Sequence, residues 1–193
     1  LNLMGFLSKI FGTDFESQKR VAFEEIERQF DAEKVNSARA LWLTMRGNNL
    51  SVSRRFEQAI KDFKEALQFE PNRIPTIISL GMAYSHCKGM YKKAIDVLEK
   101  AENLLKLADN PIYNAPLFNV QILNLYYALG NSYFFIDNKE KAIEYLTKSL
   151  ETAERLGTLK ESGAISEREW EEARKMIAPA VKNVKWLLAR IRI

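Results

Sequence analysis

Residues 80–101 read LGMAYSHCKGMYKKAIDVLEKA, and residues 129–149 read LGNSYFFIDNKEKAIEYLTKS. Each opens on Leu-Gly, places a tyrosine three residues after the glycine, and follows with an alanine and a leucine: Gly81, Tyr84, Ala94 and Leu98, then Gly130, Tyr133, Ala142 and Leu146. Gly89, Tyr91, Ala101 and Ser149 complete these two copies. A fainter copy precedes them, carried by Gly47, Leu50, Phe56, Ala59, Phe63, Ala66 and Pro71. From glycine to alanine the spacing is twelve, thirteen and twelve residues, the extra residue falling around Cys87 to Gly89. The second copy starts 34 residues after the first. Self-similarity at that period, with apolar residues recurring every three or four positions, describes helical hairpins and an all-α chain. One hairpin leaves an apolar face exposed, so the copies must stack to bury a continuous core.

Antiparallel helices approach closely only where small residues meet, so Gly47 with Ala59, Gly81 with Ala94 and Gly130 with Ala142 are expected at the crossings. The glycine interval from the second copy to the third is 49 residues. The second helix of copy two is therefore expected to run on through Leu104, Leu105 and Leu107 to the stop signal Asn110-Pro111, ahead of a loop with Pro111 and Pro116. Ahead of the repeats, Phe23, Ile26 and Phe30 share one helical face, giving a leading helix over 17–36 behind an apolar segment, 1–16. The repeats themselves span 40–157, divided at about 40–73, 74–110 and 117–157. A polar linker follows Gly157, and Ser166 with Glu169 three residues on is a capping box for a last helix, 166–193. Its stripe of Trp170, Ala173, Ile177, Val181, Val184, Leu188 and Ile191 keeps phase across Pro179, which predicts one helix kinked at the proline.

The 193 residues are 47% hydrophobic, enough for one core or one short array. With a single cysteine, Cys87, no intrachain disulfide forms, which fits a cytoplasmic setting. The net charge is +4, but Arg174, Lys175, Lys182, Lys185, Arg190 and Arg192 are all terminal; taking those six away leaves −2. Basic character thus belongs to one helix, and no nucleic-acid partner is expected. No run reaches the roughly 20 apolar residues that span a bilayer.

These residues resemble the tetratricopeptide repeat, whose pattern is a large residue, Leu-Gly, Tyr, then Ala, a bulky residue, Ala and a closing Pro. The first copy is similar to it at Leu43, Gly47, Leu50, Ala59, Phe63, Ala66 and Pro71. The second matches at Leu80, Gly81, Tyr84, Ala94, Leu98 and Ala101, and the third at Tyr126, Leu129, Gly130, Tyr133, Ala142 and Leu146. Arg46 stands where the family usually has leucine, so the first helix of that copy is expected to be covered differently, by the leading helix or by Trp42. The second and third copies lack the closing proline. The resemblance implies a right-handed superhelix of three hairpins with leading and capping helices. It also implies a concave groove lined by Thr44, Asn48, Val52, Ile78, Met82, His86, Tyr127, Asn131 and Phe134. That lining suits a peptide or helix of a partner protein, amides bonding its backbone while Met82, Tyr127 and Phe134 take apolar side chains. Relatives that hold the acidic tails of heat-shock chaperones resemble one another in a clamp of lysine, asparagine, asparagine, lysine and arginine. The matching positions here are Thr44, Asn48, Ser79, Asn124 and Ala128, of which only Asn48 fits.

Catalysis is not expected. His86 and Cys87 are adjacent, so on a helix they project about 100° apart and do not form a dyad. No residues have metal-ligand spacing and no glycine loop would cradle a phosphate, so no metal and no cofactor are expected. The expected function is an interaction module or assembly scaffold. The alternatives are a secretion-type chaperone or a peripheral membrane adaptor held by its ends. At one end, Leu3, Met4, Phe6, Leu7, Ile10 and Phe11 would pack on the array or serve a partner, a homo-oligomer or a membrane interface. At the other, Lys182, Lys185, Arg190 and Arg192 with Trp186 would meet anionic lipid or an acidic partner, or simply face solvent on a capping helix.

Overall fold

The computed structural model describes residues 15–107 and 116–191, which form eight helices and contain no strand. These are α1 (Phe15–Gln29), α2 (Ala32–Val52), α3 (Phe56–Phe69), α4 (Ile74–Ser85), α5 (Tyr91–Leu107), α6 (Pro116–Phe135), α7 (Lys139–Glu161) and α8 (Glu167–Ile191). The hairpins α2/α3, α4/α5 and α6/α7 are the three repeats. Within each, one residue in the left-handed region reverses the chain: Arg54 at φ 59°, Gly89 at φ 84° and Asp137 at φ 61°. Only the second hairpin uses glycine there, and it is the one with the extra turn residue. Arg54 and Asp137 hold the same conformation at a cost of about 1 kcal/mol each.

Several boundaries differ from the sequence expectation. The leading helix ends at Gln29 instead of reaching 36, and residues from Ala32 onward belong to the first helix of the first repeat. Asp31, extended at φ −61° and ψ 153°, marks the break. α7 continues through Gly157 to Glu161, where a polar linker was expected, because Leu156 is buried and Leu159 packs beside it against α8. The capping box forms as anticipated: Ser166 Oγ accepts from the Glu169 amide at 3.2 Å, and Glu169 Oε2 accepts from the Ser166 amide at 2.8 Å. α8 then runs unbroken through Pro179. The loop expected around Pro111 and the apolar residues 1–14 lie outside the described residues.

The nearest neighbours of the repeat glycines are bulky residues and not the alanines. A Cβ on Gly47 would stand 2.5 Å from Phe63, one on Gly81 2.3 Å from Leu98, and one on Gly130 2.6 Å from Leu146. Each glycine is a hole that receives the bulky residue one helical turn beyond the expected alanine. Phe63, Leu98 and Leu146 are all fully buried there, and burial of such a side chain is worth roughly 1.5–3 kcal/mol.

Packing between repeats sets the shape. Consecutive first helices touch, α2 with α4 and α4 with α6, and α8 extends the row by packing on α6. The backbones of consecutive second helices make no comparable contact. Long side chains bridge them instead: Tyr145 on α7 donates to Glu102 on α5 at 3.1 Å, and Lys141 reaches Glu99 at 3.7 Å. A row that is tight on one side and splayed on the other curves, with the first helices inside. One core cluster runs through all three repeats and into Val184, Leu187 and Ile191 of α8. Smaller clusters seat α1 on Trp42, Leu43 and Ala66, and the front half of α8 on Val120, Leu123 and Leu156. Arg46 is covered by Trp42, its guanidinium 4.4 Å from the ring, and is paired with Asp62.

Candidate functional site

The inner face is built from residues on α2, α4 and α6, and its register decides which of them reach solvent. Thr44 does not: its hydroxyl donates to the Ala40 carbonyl at 2.7 Å and lies 2.7 Å from the Thr76 hydroxyl, tying α2 to α4. Ile78 is 2% exposed and belongs to the core. Asn131 donates to the Ser85 carbonyl at 3.3 Å, tying α6 to α4. Tyr127 is half-buried, with its hydroxyl accepting from Asn183 of α8 at 3.3 Å. Burial pushes its phenol above the usual 10.0. These four expected groove residues therefore hold helices together. Phe134 is half-buried, edge-on to Phe135 at 5.3 Å.

The remaining four converge. Asn48, Val52, Met82 and His86 line a pocket of about 340 Å³ between the ends of α2 and α4. Ser51, Arg54, Phe56, Ser79 and Ala83 complete it. Phe56 is one of five lining residues that were not among the expected groove positions. It stacks on His86 with ring centres 4.9 Å apart and planes within 14°. One repeat on, Tyr91 stacks on Phe135 in the same way, at 4.8 Å and 12°. Phe56 and Tyr91 each open a second helix three residues before the repeat alanine, so the recurrence was visible as a spacing.

Burial, and then the nearby Arg54 charge, pull the His86 imidazole below its usual 6.5, so the ring is neutral near pH 7. Burial and the Glu57 charge push the Cys87 thiol above its usual 9.0, which withholds the thiolate a nucleophile needs. Among the described residues no three His, Cys, Asp or Glu side chains are grouped to hold a metal ion. The carboxylates and phenols that do cluster, Glu99, Glu102, Tyr133 and Tyr145 with Lys141 and Lys148, bridge α5 to α6 and α7.

On α8, Lys182 and Lys185 are exposed, and Arg190 lies 4.1 Å over the ring of the half-exposed Trp186. Arg192 lies outside the described residues. No helix among the described residues is long and apolar enough to cross a membrane.

Comparison with known proteins agrees with this architecture. A family profile described as tetratricopeptide repeat matches residues 123–155, which cover most of the α6/α7 hairpin. The chain is a tetratricopeptide-repeat protein. A curated relative, the Hsp70-Hsp90 organising protein of Plasmodium falciparum, is 30% identical to it over 132 residues. That alignment takes in 67% of this tetratricopeptide-repeat chain and 22% of the relative, so the chain spans about a fifth of the relative's length.

Proposed function

We propose that this tetratricopeptide-repeat protein is an interaction module that holds a segment of a partner protein on the inner face of its first helices, seated at the pocket between α2 and α4. The convergence of Asn48, Val52, Met82 and His86 around that pocket carries the reading. An amide at the rim bonds backbone, while a thioether and a stacked ring pair take apolar side chains. The repeat family and the organising role in the relative's name support a protein partner. The tail-clamp positions Thr44, Ser79 and Ala128 carry no charge, and two of them are buried. Paired carboxylates of a chaperone tail would therefore find no cations there, and the partner proposed is not such a tail.

Met82 is half-buried at the pocket wall, so Met82→Glu puts a charge where an apolar side chain would dock. The variant is expected to lose partner capture from a lysate of the source organism while its helical signal stays at the wild-type value; because Met82 also packs on the core, a modest fall in melting temperature accompanies the change. Identical captured proteins for wild type and Met82→Glu would sink the groove reading. Tyr127→Ala is not a usable alternative, because Tyr127 supports α8.

A further inference from the structure

The position five residues after each repeat glycine is Val52 in the first repeat, His86 in the second and Phe135 in the third. The second and third each carry an aromatic ring stacked on one face from the start of the preceding repeat's second helix, Phe56 on His86 and Tyr91 on Phe135, and keep the other side open to solvent. Among the described residues, α1 is the element ahead of the first repeat. α1 occupies that side but packs toward Trp42, Leu43, Ala66 and Phe69. Val52 is left 86% exposed, the most exposed of the large apolar side chains among the described residues. The ladder of ring contacts joining the repeats thus stops one rung short, at a residue that also lines the binding pocket.

We propose that the partner segment completes this ladder, placing an aromatic side chain against Val52 and an adjacent carboxylate against Arg54. This rests on the groove reading above and adds the chemistry of the ligand. An aromatic ring is what stacks on the same position in the two following repeats, so the partner's ring continues an interface the fold already uses. Arg54 supplies the charge complementarity: no carboxylate lines the pocket, and Arg54 is its one cationic residue, His86 being neutral. Arg55 beside it is exposed as well. Arg54 holds the left-handed turn conformation that glycine holds in the second repeat, at a backbone cost, and lines the pocket.

Random peptides displayed on phage and panned on the full chain provide the test, with enriched peptides resynthesised and titrated by fluorescence polarisation. Enriched sequences are expected to carry Phe, Tyr or Trp beside Asp or Glu. Val52→Asp and Arg54→Glu should each weaken them by about tenfold or more, the loss expected of a central contact residue, while Val52→Leu retains binding. Both changed positions are exposed, so helical signal and melting temperature serve as folding controls. Peptides lost on Met82→Glu but indifferent to Val52→Asp would overturn the ladder and leave the groove standing. Indifference to all three changes, or no enrichment at all, would overturn both. Dimerisation in sedimentation runs that Val52→Asp abolishes would assign the rung to a second copy of the chain and overturn the proposal in that direction.

Discussion

At position 46 the repeat pattern has leucine and this chain has arginine. The structure shows how that is tolerated: Arg46 donates from Nε and Nη2 to the two carboxylate oxygens of Asp62, at 2.6 and 2.7 Å, with Asp62 fully buried. Burial pushes the Asp62 carboxyl above its usual 3.8, and Arg46 opposes that. Two donors on two oxygens require the ionised acid. Asp62→Asn leaves the guanidinium buried without its counter-charge and is expected to cost about 3–5 kcal/mol in urea unfolding, whereas Arg46→Met combined with Asp62→Leu should return most of that loss. A double variant as unstable as the single one would show that the pair stabilises beyond its own desolvation. The departure at Arg46 was readable, with Trp42 one of two candidates to cover its helix. Asp62 was not, because it sits on the next helix and only the crossing register brings the two together.

Among the elements, the repeat glycines carry the plainest consequence. A Cβ on Gly130 would stand 3.0 Å from the backbone nitrogen of Leu146 as well as 2.6 Å from its side chain, so α7 itself must give way to admit a methyl group. Gly157 sits in the same helix with nothing within 4 Å of an added Cβ. Gly130→Ala is therefore expected to lower stability by about 1–3 kcal/mol, and Gly157→Ala to raise it by about 0.5–1 kcal/mol through helix propensity alone. Urea midpoints moving in opposite directions would bear this out; a Gly130→Ala protein as stable as wild type would mean the crossing is looser than the distances say. The small residues were legible as a spacing, but their mates were not. An alanine and a leucine one turn apart lie on the same helical face, and which of them enters the hole depends on the crossing angle. Pro179 follows the same logic. It lies on the exposed side of α8, so water can bond the carbonyl its missing amide releases, and the helix continues.

Across the whole molecule, stability is unevenly distributed. The repeats share one continuous cluster, whereas α1 is attached through a separate small one around Phe23, Trp42 and Phe69 and an ion pair from Lys19 to Glu65 at 2.6 Å. The amides of α1 are expected to exchange hydrogen well before those of α4 and α6, with α1 opening as a local unit. Equal protection throughout would mean the array unfolds only as one body. α8 is different, since its back half joins the repeat core and its front half has its own cluster on α6 and α7. It should exchange with the repeats.

Periodicity alone determined that this chain is helical, that its hairpins repeat three times and that a capped helix closes the array, because those follow from the order of apolar and small residues along the strand of sequence itself. Which inner-face side chains remain available was decided by tertiary structure. Thr44, Ile78, Tyr127 and Asn131 occupy groove positions by register, yet each is consumed by a neighbouring helix, while Val52 stays open because α1 packs toward Trp42 and Phe69 instead. Burial at those positions depends on the distance between helices that are far apart in the chain, and that distance is a property of the packed array.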